Sequence, residues 1–391
     1  MFKNGEVLVQ KFGGSSMASV ERIKNAALRI AEKAKSGYPM VVVVSAMGDT
    51  TDDLIALMHR ISTFPDRCEL DHIMATGEMV SSALMASALL ELGVKAKSFN
   101  AFNLQLHSKL SNNEYYITDV GALERLESFL TPGSVAVVAG FQGITEYGDL
   151  TTLGRGGSDL TAVIMARELG QKVCEKYTDE DGVYTADPRV IPSARKVWHL
   201  NYDEMLMLAK FGNGILHPRA ISSARDSNIR IHVRSSFSKV EGSVIGPDGD
   251  DSVPIKSITC SKKLMYSKIF GANPNSFSHS YPFNNIILQK SDGFIGLGYD
   301  KSSAFDAITY CWEKAASAEA EFVENYTNLI TITLVGCGLA NNGAFVEKVD
   351  NVVDNLKPFV KQQDGIRYSL AVSSDKLQES LSCLHSLLKE F

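Results

Sequence analysis

The sequence predicts an α/β fold, a mostly parallel open sheet with helices on both faces, followed by a smaller α+β region. Strand and helix patterns alternate from Val7 to about Ser236, as in successive β-α-β units. The strands are continuous apolar runs such as Met40 to Val44, suited to a sheet covered on both sides. The stretch Gly246-Pro247-Asp248-Gly249-Asp250-Asp251-Ser252-Val253-Pro254 then brings turn formers and acids with almost nothing to bury, and the elements beyond it are shorter. These patterns divide the chain into a domain at residues 1–246, a linker at 247–254 and a second region at 255–391.

In order along the chain, Val7 to Gln10 reads as a short buried strand, Lys11-Phe12-Gly13-Gly14-Ser15-Ser16 as a polar turn, and Val20 to Ala34 as a helix. The unit repeats with the strand Met40 to Val44, the turn Ser45-Ala46-Met47-Gly48 and a helix from Thr51 to Arg60. Asp71 to Leu92 carries Ile73, Val80 and Leu84 at helical spacing and stops at Gly93, a residue suited to a left-handed C-cap. Ser134 to Val138, Lys172 to Tyr177 and Ile229 to Val233 are further strands, and Ser158 to Leu169 is a helix closing at Gly170. After the linker, strands are expected near Ile255 to Ser261, Phe294 to Gly298 and Leu329 to Val335. Helices are expected near Ala304 to Ala315, Ala344 to Phe359 and Ser374 to Glu390.

The bulk properties exclude several classes of partner. The chain has 391 residues, 45% of them hydrophobic and 21% charged, with a formal net charge of −6. Nucleic acid or an anionic membrane would call for a basic patch, so neither is expected as a partner. The six cysteines form no CxxC pair and no zinc-finger spacing, and read as reduced core thiols. Met1 to Gln10 lack the apolar stretch of a secretory leader, and a cytoplasmic enzyme is the default expectation.

Three clusters carry chemistry. Glycines between a strand and a helix let backbone N–H groups approach an anion, and the helix N-terminus adds positive charge. Lys11 beside Gly13 and Gly14 therefore suits a phosphate, although a tight structural turn would use the same glycines. Gly154-Arg155-Gly156-Gly157-Ser158-Asp159 adds a cation, a hydroxyl and a carboxylate at a second such turn. There Arg155 could grip a carboxylate bidentately or make a surface ion pair, and Ser158 or Asp159 could merely cap the helix. The third cluster, Tyr177 to Arg189, follows a strand, where open α/β sheets bind ligands. Tyr184 offers an aromatic surface for a base and Arg189 a phosphate contact, while the Asp-Gly and Asp-Pro pairs also make ordinary turns.

Taken together and in this order, the clusters resemble the aspartate kinases of the amino acid kinase superfamily across nearly all of residues 5–246. Val9 to Ser16 is similar to the family's first nucleotide loop and Val42 to Gly48 to its second strand and turn. Ala75-Thr76-Gly77-Glu78, Ala139 to Gly143, Thr151 to Asp159, Tyr177 to Arg189 and Leu216-His217-Pro218-Arg219 resemble its remaining signatures. The resemblance implies the amino acid kinase fold and transfer of the ATP γ-phosphoryl group to the β-carboxylate of L-aspartate, the first step toward lysine, threonine and methionine. It implies that Lys11, Phe12, Gly13 and Gly14 hold the ATP phosphates. Ser45, Glu78, Arg155, Gly156, Gly157 and Ser158 would surround the amino acid, and Thr178, Asp179, Tyr184 and Arg189 the rest of the nucleotide. Arg155 suits the α-carboxylate and Glu78 the α-ammonium.

The attacking carboxylate has a free pKa of about 3.9 and needs no general base. Asp159 is therefore expected to orient, paired with Lys11, the other catalytic residue, rather than to take a proton. Mg²⁺ is expected to arrive on ATP without protein ligands of its own. His217 is expected to be structural or nucleotide-side. Gly214 stands where many relatives carry a lysine, which removes one phosphate contact that the resemblance leads one to expect.

Thr331 to Gly338, a following helix and Tyr368 to Ser373 resemble one ACT module, whereas Asn273 to Asn285 is rich in Asn, Ser and Pro where a preceding module's first helix would lie. The implied role of residues 255–391 is a divergent ACT-like region for homodimerisation, binding of an amino-acid effector, or both. A kinase acting on a related amino acid, or a catalytically weak ACT-type amino-acid sensor, would share many of these features.

Overall fold

The computed structural model describes residues 7–249, 253–270, 287–291, 294–300 and 322–390. By internal contacts the chain forms two compact units, residues 1–183 with 215–249, and residues 184–214 with 250–391. The second boundary falls inside the linker read from the sequence. The grouping of residues 184–214 with the second unit departs from the single domain expected at 1–246.

The first unit is built on parallel strands β1 (Leu8–Phe12), β2 (Met40–Val44), β3 (Ala96–Phe99), β6 (Val135–Ala139), β9 (Val173–Thr178) and β10 (Arg230–Ser235), with β11 (Ser243–Gly246) antiparallel at its end. Within the unit their order is β11-β10-β9-β1-β2-β6-β3. Every residue of β2 and β6 is fully buried, which explains why both read as unbroken apolar runs. Helices α1 (Val20–Lys35) and α3 (Arg67–Glu91) cover one face, where Ile23, Ile30, Met85 and Leu89 pack on Met40, Val42, Val44 and Val137. Between them in the chain lies α2 (Thr50–Ile61). Helices α4 (Gly157–Glu168) and α5 (Pro218–Asp226) contact the sheet as well, α4 against β1, β2 and β9 and α5 against β10. The helix starts are written in the chain: Ser19 accepts the Arg22 N–H ahead of α1, and Asp66 accepts the Cys68 N–H at 2.8 Å ahead of α3. Helix α3 is long and apolar enough to cross a membrane by composition, yet its Asp71, Glu78, Ser81 and Ser82 are buried in this fold.

Strict alternation fails between β3 and α4. There β4 (Leu106–Ser111), β5 (Glu114–Val120), β7 (Gln142–Ile144) and β8 (Leu150–Thr152) form a separate sheet in the order β5-β4-β7-β8. Its strands are short and polar, with little hydrophobic periodicity to announce them.

The second unit carries a sheet of β12 (Ser257–Phe270), β13 (Ile287–Ser291), β14 (Phe294–Asp300), β15 (Phe322–Val335), β16 (Val360–Asp364) and β17 (Arg367–Ser373), ordered β13-β14-β12-β15-β17-β16. Helices Gly343–Asn355 and Leu377–Ser386 bury Val349, Val353, Leu381 and Leu384 against Ile258, Ile332, Leu334 and Leu370. The strand, helix, hairpin and helix from β15 onward give the order expected for one ACT-like module. The helix expected at Ala304 to Ala315 and the irregular stretch Asn273 to Asn285 lie outside the described residues. Residues 184–214 are tied in by polar contacts: the Ile258 N–H donates to Thr185 O at 2.8 Å, Thr185 Oγ1 lies 2.9 Å from His385 Nε2, and Arg195 donates to Leu388 O at 2.6 Å.

Shortening a side chain in the doubly covered strand should be costly. Val42→Ala is expected to lower stability by about 2 kcal/mol through lost burial and the cavity left behind. Val20→Ala, at a position 56% exposed, should stay within about 0.5 kcal/mol. Urea midpoints of the two variants check the contrast.

Candidate active site

The carboxyl ends of β1, β2, β6 and β9 carry the loops singled out from the sequence. Gly13 N-caps the short helix Gly14–Met17, and its N–H donates to Tyr177 O at 3.1 Å. A Cβ on Gly14 would lie 3.2 Å from the carbonyl oxygens of both Ala46 and Gly48, so a side chain there would press the two loops apart by a few tenths of an ångström. The Gly48 N–H donates to Gly14 O and the Ser45 N–H to Phe12 O, locking the loops together. The Phe12 side chain is fully buried and stacked on Tyr177 at 4.7 Å between ring centroids, so it serves the core.

Asp159 stands in the first turn of α4, where the helix dipole favours a carboxylate. Its Oδ1 is 2.6 Å from Lys11 Nζ, the pairing expected from the sequence, and its Oδ2 is 2.5 Å from Lys176 Nζ. Lys176 also donates to Ile215 O at 2.5 Å. Lys11 and Lys176 are register partners on the parallel strands β1 and β9, and all three side chains are buried. Burial by itself would push the Asp159 carboxyl up; the two ammoniums override it and hold the group well below the usual carboxylate range. Burial, with the Lys11 charge acting in the same direction, pulls the Lys176 ammonium below its ordinary value against the opposing pull of Asp159.

Glu78 enters from α3. Its Oε1 accepts the Ala46 N–H at 3.0 Å, while Oε2 is buried with no hydrogen-bond partner. Burial raises this carboxyl to about 7, against the lowering effects of the Ala46 hydrogen bond and the Lys11 charge. An unsatisfied buried carboxylate oxygen is costly and calls for a donor.

The loop before α4 is shaped by its neighbours. Gly156, the N-cap of α4, has φ +73° and no side-chain capping bond, so neither Ser158 nor Asp159 acts as the cap. A Cβ on Gly156 would fall 2.1 Å from His217 Cβ, and one on Gly157 2.8 Å from Leu153 Cβ. Ser158 is buried beneath Gly140. Arg155 is exposed and makes no ion pair among the described residues, leaving its guanidinium available. Ser45 is half-buried.

The Leu216-His217-Pro218-Arg219 run serves as scaffold. His217 N-caps α5, accepting the Arg219 N–H on Nδ1 at 3.3 Å; burial and the Arg219 charge lower its pKa and so favour the neutral ring that can accept. Arg219 donates to Leu153 O at 2.5 Å and to Tyr115 O, fixing the loop that carries Arg155.

Thr178 and Asp179 sit at the end of β9, their side chains hydrogen-bonded to each other at 2.9 Å. Tyr184 and Arg189 belong to the second unit, and their expected nucleotide roles rest on the sequence alone. Lys176 was not singled out from the sequence. Its signal was a lysine inside a strand that otherwise reads as buried, since lysine is almost never buried unless paired.

Comparison with known proteins agrees with this geometry. The model of the Amino acid kinase family matches residues 6–235, and the chain belongs to that family. It has an ATP-dependent kinase's fold and family. At the level of individual relatives the matches are aspartokinases. That of Bacillus sp. (strain MGA3) is 35% identical over 400 residues, spanning 97% of this chain and 96% of the relative. That of Corynebacterium efficiens is 46% identical over 403 residues, spanning 97% and 95%. The chain is thus an ATP-dependent kinase of the aspartokinase group. Among solved structures, Escherichia coli aspartokinase III in complex with aspartate and ADP shares the fold with a TM-score of 0.80 at 20% identity, covering 98% of this chain and 100% of that one.

Gly156→Ala is expected to distort the loop at both the positive φ and the His217 contact. It should cost about 1–3 kcal/mol of stability and lower kinase turnover at least about tenfold, consistent with the cost of misplacing a site by an ångström. Thermal melts and steady-state rates measure the two effects.

Proposed function

We propose that this kinase transfers the γ-phosphoryl group of ATP to the β-carboxylate of L-aspartate, giving 4-phospho-L-aspartate and ADP. The observation that carries the proposal is the buried Lys11–Asp159–Lys176 cluster beside a carboxylate, Glu78, with one oxygen unsatisfied. A β-carboxylate oxygen forms the new P–O bond while the bond from the γ-phosphorus to the β,γ-bridging oxygen breaks, and ADP leaves with that electron pair. No proton has to move at the attacking group, which is ionised at neutral pH. This suits a site where Asp159 is held as a carboxylate by two cations rather than poised to accept a proton.

Lys11 supplies charge to the transferring phosphoryl oxygens, where stabilisation is mainly electrostatic and positional. Gly13 and Gly14 keep the loop clear of side chains, and Thr178 and Asp179 serve the nucleotide. Arg155 takes the substrate α-carboxylate and Glu78 Oε2 the α-ammonium, with Ser45, Gly156, Gly157 and Ser158 around them. Both Asp159 oxygens are engaged by lysines, so Mg²⁺ in this reading is carried by phosphate oxygens and water; when bound it neutralises charge on the β- and γ-phosphates. The second unit, on the same reading, supports homodimerisation and takes an amino-acid effector. E. coli aspartokinase III has also been solved with lysine and aspartate, and it has the same fold at a TM-score of 0.77. Of the described cysteines Cys174 is buried, Cys68, Cys260 and Cys337 are half-buried and Cys383 is exposed; a cytoplasmic location belongs to the same reading.

The deciding experiment incubates the protein with Mg-ATP and a panel of amino acids and traps acyl phosphate with hydroxylamine. Aspartyl hydroxamate should form, and Lys11→Ala should lower its rate by about 10³-fold; nucleotide binding with no hydroxamate from any amino acid would refute the proposal. Repeating assay and sedimentation with lysine, threonine and methionine reads the second unit's role. A pH profile tests Glu78: its carboxyl becomes charged as pH rises through about 7, so kcat/KM for aspartate should climb over that range and level off above it. Glu78→Gln should lower kcat/KM by about 10²-fold and flatten the limb, and an unchanged limb would remove Glu78 from ammonium binding.

A further inference from the structure

The mechanism above uses Lys176 only to help hold Asp159 ionised, and gives it no task distinct from that of Lys11, beside which it is buried. An interior ammonium is expensive unless paired, and a pair needs only one lysine for one carboxylate. Here two lysines share Asp159: Lys11 takes Oδ1 and Lys176 takes Oδ2. Two cations on one anion leave one positive charge uncompensated. The surplus lies at the mouth of the first glycine loop, because Lys11 Nζ is only 3.5 Å from where a Cβ on Gly13 would stand. The second Lys176 contact, to Ile215 O, anchors the residue just before Leu216 to Arg219, the run whose His217 and Arg219 shape the Leu153–Gly156 loop.

We propose that Lys176 is a positioning residue of the kinase: it neutralises Asp159 and ties it to the Ile215 carbonyl, so that the charge of Lys11 stays free for the phosphoryl group. Without Lys176, the Asp159 carboxylate would compensate Lys11 alone, and the cluster would present no net charge to the nucleotide. The proposal rests on the phosphoryl-transfer reading, and it deepens that reading by giving the two lysines different tasks. Lys11 faces the anion and Lys176 holds the counter-charge away from it.

The test compares Lys176→Met, which keeps length without charge, Lys176→Arg, which keeps charge, and Lys176→Ala, which leaves room for a small amine. In the hydroxamate assay Lys176→Met and Lys176→Ala should lose about 10²-fold in kcat while KM for aspartate stays within about threefold. Methylammonium should restore Lys176→Ala at least about tenfold in a saturable manner, and Lys176→Arg should exceed Lys176→Met, since charge and not packing is what was removed. Calorimetry with ADP supplies a readout that does not depend on the amino acid: Lys176→Met should bind ADP at least about tenfold more weakly than the unaltered chain. If Lys176→Met keeps kcat and ADP affinity within threefold, the proposal is overturned. It is equally overturned if all three variants lose activity alike with no rescue by amine, which would assign the side chain to packing. Absence of aspartyl hydroxamate from the unaltered protein would instead remove the aspartate reading, and the ADP measurement would still decide the role of Lys176.

Discussion

The Asp159 carboxylate, buried between two lysine ammoniums, constrains more of the first unit than any other contact. Removing Asp159 would leave two interior ammoniums uncompensated, at a cost of at least about 3–5 kcal/mol. Lys11 and Lys176 can reach the same carboxylate only because β1 and β9 are adjacent, parallel and in the one register that sets these residues side by side. Asp159 can meet them only if α4 begins against the carboxyl ends of those strands. That start leaves no room for a side chain at Gly156, whose missing Cβ makes space for His217. Strand order, register, helix start and glycine placement are thus consequences of bringing three charges together away from water.

The two groups proposed to meet the substrate follow an opposite principle. Arg155 is exposed and without an ion pair among the described residues, whereas Glu78 is buried with one oxygen lacking a partner. A guanidinium stays charged whether or not it is bound, so it can wait in solvent. A carboxylate that has lost its water is drawn toward the neutral form until a cation arrives, which makes Glu78 sensitive to what occupies the site.

Much of this was legible in the sequence, and the parts that were not have physical causes. Met40 to Val44 and Ser134 to Val138 read as buried strands because each residue there is dry, and the Lys11–Asp159 pairing followed from the motifs that carry them. Lys176 was passed over because its partners, Asp159 and Ile215 O, are distant in sequence, and a single lysine inside a buried strand does not say what it pairs with. The β4-β5-β7-β8 sheet escaped because its strands are short or largely polar; β7 and β8 are buried throughout, yet three residues each are too few to show a period. The Gly156–His217 contact was equally hidden, since nothing in a glycine-rich turn says which side chain fills the space above it.

The grouping of residues 184–214 with residues 250–391 bears on how the chain matures. Thr185 bonds to His385, 200 positions later. At ribosomal rates of about 5–20 residues per second, Thr185 waits roughly 10–40 s for that partner to be made. Over that interval Arg195 has no Leu388 carbonyl to meet and Thr185 no Ile258 amide beyond the linker until the strand that carries it has emerged. The nascent chain must therefore bring together most of the first unit around a long unfinished excursion. The contacts that close the second unit cannot form until the residues around His385 and Leu388 have been made.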